Sequence, residues 1–212
     1  MYLAGSPGSY FAYLKDCLKE WRKWLRENSL ISYLRNLKRD GIIAAATFRK
    51  ILPCGSTAGV LYGLPKIHKT SCPFRPTVSS VTTYNWHLAS FLATVLKPIS
   101  TNQFTIKDSF TFVDWVKSHK HNNETMCCFD VCSLFTNVPL DETIQICLTK
   151  LYSLPDPPTL PRTVLKDLLE FATKKSHFIF DGQYYDQIDG VAIGSPLGPV
   201  LANIFICHFE ES

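Results

Sequence analysis

A single acidic residue, Asp130, stands in the middle of a dense apolar run, Thr125 to Phe135. The run has β-branched and aromatic members, and its length predicts a buried strand. A chain that carries it must build a sheet around it and must also accommodate the carboxylate. An ionised Asp within an apolar layer is costly unless it is hydrogen-bonded, paired or bound to a metal. On these residues alone two readings stay open. Asp130 ends a strand and bonds locally to Ser133, Thr136 or Asn137, or it ligates a divalent cation for phosphoryl transfer, which needs hard oxygen donors.

The rest of the chain alternates helical stripes with short extended pieces. Residues 10 to 40 read as a helix, with Leu14, Leu18, Trp21 and Leu25 on one stripe, and Gly41 is its expected stop. Gly63, Pro65, Pro73 and Pro76 exclude a long helix between Val60 and Ser80. That segment is expected to form two extended pieces joined by a polar turn at Thr70-Ser71. Further helices are expected at 84–98, at 108–119 with Asp108 or Ser109 as cap, at 140–152 after Pro139, and at 162–174 after the Pro-rich loop Leu154 to Pro161. Phe178 to Phe180 and Gln183 to Tyr185 flank Asp181-Gly182, a dipeptide suited to a type I′ hairpin. Gly190 to Gly194 form a turn that opens the last helix, capped by Ser195, with Pro196 in its first turn. The stripe of that helix is Leu197, Val200, Leu201, Ile204, Phe205 and His208.

Charge is divided unevenly. Residues 1 to 70 hold 12 Lys+Arg against 4 Asp+Glu, and residues 71 to 212 hold 10 against 14. A basic front half beside an acidic back half suits a protein that grips phosphates and houses metal-binding carboxylates, and it also suits an ordinary solvated helix face. No apolar stretch approaches the roughly 18 residues that span a bilayer. Met1 to Leu14 lacks the basic start of a secretory signal. The eight cysteines contain no C-x-x-C pair, which argues against a zinc site and for a reducing compartment.

Four stretches, in order, resemble the motifs of reverse transcriptases, and the likeness is closest to Penelope-like retroelements. Leu61-Tyr62-Gly63-Leu64-Pro65-Lys66-Ile67-His68-Lys69 is similar to the finger segment, and Phe74-Arg75-Pro76-Thr77-Val78-Ser79-Ser80 to the finger motif after it. Phe129 to Pro139 is similar to the first catalytic motif, and Gly190 to Asn203 to the glycine turn and helix beneath the template–primer. The resemblance implies that Asp130 binds the catalytic metal ions, Mg²⁺ or Mn²⁺, assisted by the backbone carbonyl of Val131. Arg75 would hold the triphosphate of the incoming nucleotide, since a guanidinium fork matches phosphate oxygens. Lys66 and Lys69 would add point charges to phosphates or template, or else lie in a solvated loop, with His68 a turn residue between them. Phe135 would gate against a ribose 2′-hydroxyl, provided it lies past the strand end, or else fills the core. Gly194, Ser195 and Pro196 would let the backbone approach the template–primer. Many reverse transcriptases carry Gln where this chain has Ile193, and Penelope-like sequences often have an apolar residue there.

The implied fold is α+β: right-hand polymerase fingers plus an incomplete ferredoxin-like palm, with an N-terminal helical segment. Residues 1–51 would be the basic helical segment, 52–126 a fingers-like region, and 127–212 a partial palm. The implied function is RNA-directed DNA polymerisation by two-metal nucleotidyl transfer. RNA template, DNA primer and deoxynucleoside triphosphates would be partners, in the nucleus or cytoplasm and not at a membrane. These 212 residues contain no Asp-Asp, the second acidic motif that the family places after the glycine-turn helix. Glu210 and Glu211 are adjacent acids, expected at a frayed helix end. The chain therefore reads as a fragment, inactive by itself, with an exposed sheet edge that invites aggregation. A non-catalytic nucleic-acid-binding retroelement relic, and an unrelated α/β domain with a structural Asp130, are the competing readings.

Overall fold

The computed structural model of the chain describes residues 24–53, 56–118 and 125–212. Leu14, Leu18 and Trp21 of the expected first stripe lie outside them. Residues 24–39 form helix α1, which ends where expected, with Gly41 at a φ of +72°. Its buried face is Leu30, Leu34 and Leu37. Leu25, expected on the stripe, is 40% exposed, because α1 meets the core only from Leu30 onward.

Helix α2, Ala45–Ile51, leads to strands β1, Gly59–Pro65, and β2, Phe74–Ser79. They pair antiparallel from Val60↔Ser79 to Pro65↔Phe74, as the glycines and prolines of this segment predict. In the linking turn, Lys66 N–H donates to the Pro73 carbonyl at 2.9 Å and Cys72 N–H to the Lys69 carbonyl at 3.0 Å. Ser71 and Cys72 adopt positive φ there. Pro76 lacks a ladder donor, and it sits on β2, an edge of the sheet.

Helix α3, Trp86–Leu96, runs into a 3₁₀ turn, Lys97–Ile99. Helix α4 follows, Ser109–Ser118. Asp108 caps it: its carboxylate accepts the Thr111 N–H at 2.8 Å and the Thr111 hydroxyl at 2.9 Å. Those bonds hold the Asp108 carboxyl below the ordinary carboxylate range. The short α5, Leu134–Asn137, precedes α6, Leu140–Tyr152, and α7, Arg162–Ala172. Strands β3, His177–Phe180, and β4, Gln183–Asp186, form the expected hairpin. Asp181 and Gly182 both adopt positive φ, +48° and +67°, the pairing a type I′ turn requires.

The sheet order is β2-β1-β3-β4. The two hairpins join through a parallel pairing of β1 with β3, Gly59↔Phe178 and Val60↔Ile179. Tyr84 and Asn85 fix that junction from below. Asn85, buried, donates to the carbonyls of Phe171 and Ala172 and to Ser176 Oγ, and the Tyr84 hydroxyl donates to the Lys175 carbonyl at 2.9 Å. These side chains satisfy the orphan carbonyls at the end of α7 and aim the chain into β3. One hydrophobic cluster, running from Leu30 to Ile204, lies among α1, α3, α6, α7 and α8. Helix α8 is Leu197–Glu210; it starts after Pro196, so Ser195 lies outside the cap position assigned to it. Leu197, Leu201 and Ile204 are buried as expected, and Val200, Phe205 and His208 form the half-buried margin.

The run from Thr125 departs from expectation. Residues 125–131 form no strand and are exposed, Phe129 at 92%. Apolar composition favours a strand only where a neighbour supplies the ladder, and no strand among the described residues runs beside this segment. Helix α4 is similarly uncovered: it buries no residue, and Phe110 is 83% exposed.

The glycine turn is tied to two neighbours. Val78 N–H donates to the Ile193 carbonyl at 2.8 Å, Ser80 Oγ donates to the Gly194 carbonyl at 2.7 Å, and Val191 N–H donates to the Phe135 carbonyl at 2.7 Å. A Cβ on Gly194, which has a φ of +117°, would lie 2.1 Å from the Val78 carbonyl oxygen. The close approach is therefore to β2 of the same chain. Asp189 adds a bond to the next element, accepting the N–H of Leu140 at the start of α6 at 3.0 Å.

Two outcomes test this arrangement. Gly194→Ala should destabilise the fold by about 2 kcal/mol or more, read from urea unfolding, because strain and clash act together. Iodoacetamide labelling under native conditions should modify Cys72, Cys127, Cys128 and Cys132 quickly and spare Cys147 and Cys207 until denaturant is added. The first four are exposed and the last two buried, and burial pushes the Cys147 thiol up to about 12. Protection of Cys127 and Cys128 would instead mean that the run is covered.

Candidate nucleotide cleft

The turn between β1 and β2, the run before α5 and the outer face of α8 surround one open cleft of about 1180 Å³. That volume exceeds the roughly 300–1,000 Å³ of common small-molecule sites. Lys66, Lys69, Arg75, Asp130, Val131 and Phe135 all line it. The three cations come from one hairpin. Lys66 and Lys69 sit in its internally bonded turn, and Arg75 stands on β2 opposite Leu64. His68 lies in the same turn and also lines the cleft.

The electrostatics follow from missing partners. Among the described residues, no carboxylate pairs with Lys66, Lys69 or Arg75, and no group donates to the Asp130 carboxylate. The local bonds considered for Asp130 go elsewhere. Thr136 donates through both its N–H and its hydroxyl to the Ser133 carbonyl, and Asn137 Nδ2 donates to the Cys132 carbonyl at 3.3 Å. Three unneutralised cations in a concave site attract anions, and the guanidinium suits phosphate oxygens best.

Phe135 is both at the cleft and against the core. It is the last residue of the apolar run and falls in α5, and residues 125–131 before it form no strand for it to lie past. It lines the cleft while packing half-buried against the core. Gly194, Ser195 and Pro196 are not among the lining residues; Ile193, beside them, is. The donor set for a metal is thin. Asp130 offers one carboxylate and Val131 one carbonyl, and among the described residues no three His, Cys, Asp or Glu side chains are grouped to hold an ion. Such a set does not fit a resident two-ion centre, and Mg²⁺ would need substrate phosphates to complete its shell.

Several lining residues had no role in the sequence reading: Phe104, Ile106, Asn203 and Glu210. Glu210 is helical, not frayed, and accepts a bond from Asn102 Nδ2 at 2.9 Å. The signal for the α8 pair was present, since Asn203, Ile206, Cys207 and Glu210 recur at helical spacing on one face.

No helix among the described residues is long and apolar enough to cross a membrane. No curated protein matches the chain. The family described as "Reverse transcriptase (RNA-dependent DNA polymerase)" matches residues 67–212, about two thirds of the chain and the span that holds Arg75, Asp130 and the glycine turn. The chain belongs to the reverse transcriptase family.

Proposed function

We propose that the cleft binds a deoxynucleoside triphosphate against a template–primer, as part of an RNA-directed DNA polymerase of the Penelope-like type. The observation that carries this reading is the shared lining: Lys66, Lys69 and Arg75, all without internal partners, together with Asp130 in one concavity. Residues 52–126 then act as the fingers-like region and 127–212 as part of a palm, with 1–51 a basic helical segment. Arg75 holds the triphosphate bidentately, and the two lysines add charge to the phosphates or to the template. Asp130 and the Val131 carbonyl contribute oxygens to a divalent ion, Mg²⁺ or Mn²⁺, which when bound screens the phosphate charge. Phe135 crowds the position of a ribose 2′-hydroxyl. Gly194, Ser195 and Pro196 support the template–primer through the rigid turn they form. The retroelement likeness suggests a nuclear or cytoplasmic site.

Two-metal transfer needs a second set of carboxylates, and these 212 residues contain no Asp-Asp. The chain by itself is accordingly read as a binding platform without turnover. The absence of a ligand cluster among the described residues also favours a second reading, a relic that retains nucleic-acid affinity without catalysis.

Arg75→Ala should weaken binding of deoxyadenosine triphosphate by about 10-fold or more, as expected for losing a charge-assisted contact. Titration calorimetry in Mg²⁺ buffer measures this, and an unchanged affinity would remove the phosphate role. In a primer-extension assay the purified 212-residue chain should yield no templated product. Detectable product would mean that these residues suffice for transfer. Salt-dependent binding of template–primer with no affinity for the triphosphate would favour the relic.

A further inference from the structure

Helix α8 has two working faces. Leu197, Leu201 and Ile204 point the first into the core, and Asn203, Ile206, Cys207 and Glu210 line the cleft with the second. The polar members of this second face differ in what they are free to do. Glu210 is engaged by Asn102 Nδ2 at 2.9 Å. Asn203 is exposed, and its carboxamide has no hydrogen-bond partner among the described residues. A carboxamide in mid-helix is a poor helix former, and packing does not require one there. Its neighbours on this wall include the apolar Ile193, Ile206 and Phe135, and Glu210 stands about two turns further along the helix. The cations of the cleft all belong to the β1–β2 hairpin.

The cleft is thus polarised. One wall is cationic and suits phosphates; the other carries the apolar Ile193, Ile206 and Phe135, a Glu210 carboxylate held by Asn102, and the free Asn203 carboxamide, which suits the neutral part of a nucleotide. From this geometry we infer that Asn203 is a substrate-positioning residue that hydrogen-bonds the nucleoside moiety of a nucleotide whose phosphates lie against Arg75, Lys66 and Lys69. An amide presents one acceptor and two donors, enough to hold a sugar hydroxyl or a base edge. The inference rests on the proposed nucleotide cleft and assigns the end of the ligand that the cations leave unexplained.

The test separates the two ends of the ligand. Wild type, Asn203→Ala, Asn203→Asp and Arg75→Ala are titrated with deoxyadenosine triphosphate and with tripolyphosphate, both in Mg²⁺ buffer. Alanine at an exposed helical site should leave the melting temperature unchanged or raise it. Asn203→Ala should weaken the nucleoside triphosphate about 3- to 10-fold, the worth of one or two neutral hydrogen bonds, and leave tripolyphosphate affinity unchanged. Arg75→Ala should weaken both ligands. Asn203→Asp, which loses the donors and adds a negative charge, should weaken the nucleotide more than tripolyphosphate. Equal nucleotide affinity in wild type and Asn203→Ala, or equal losses for both ligands, would overturn the role of Asn203 while the cleft stands. If wild type binds neither ligand, the nucleotide cleft itself is refuted, and the inference falls with it.

Discussion

The cleft depends on one backbone contact, where β2 meets the glycine turn. Val78 gives its N–H to the carbonyl of Ile193, and its own carbonyl occupies the space where any side chain at position 194 would begin. The bond covers part of an edge strand that would otherwise show open donors and acceptors. It also sets the distance between the hairpin that carries Arg75 and the helix that carries Asn203. Because Val191 is bonded in turn to Phe135, the third wall is set by the same turn. Three segments far apart in sequence are thereby held in register by a few main-chain hydrogen bonds and a residue with no Cβ.

This explains why a glycine-rich stretch that looks suited to approaching a ligand does something else here first. The space saved at Gly194 is filled by protein. Gly190 behaves alike, since a Cβ on it would meet the Thr136 and Phe135 carbonyls. The turn is a keystone for the cleft walls, and its influence on a bound strand would act through their placement. Asp189 extends the same logic by serving the first N–H of α6, so the helix after the Asp130 segment starts at a point fixed by the turn.

Much of the fold was legible because its signals are local. Asp181-Gly182 specifies a hairpin, Gly63 and the prolines around it exclude helix, and Pro139 marks a helix start; each is a statement about a few dihedral angles. Burial of the run at Asp130 could not be read this way. Composition states that a segment prefers burial, and only the rest of the molecule decides whether a partner is there to bury it. Leu25 failed for the same reason, lying on the right face of a helix that has not yet reached the core. In the site, the cationic residues and Asp130 could be named from their motifs. The contribution of α8 required knowing which of its faces was left over once Leu197, Leu201 and Ile204 had turned inward.

The parallel junction of the two hairpins has a consequence for synthesis of the chain. Gly59 and its partner Phe178 are separated by 119 positions. The first hairpin is complete at Ser79, so at the roughly 5–20 residues per second of translation it waits on the order of 5 to 20 seconds before its inner neighbour leaves the ribosome. During that interval both edges of β1–β2 lack the elements that later flank them, β3 on one side and the glycine turn on the other. Such long-range closure is slow even for a complete chain. Nascent chains of this protein are therefore exposed to mispairing longest at the segment that carries Lys66, Lys69 and Arg75.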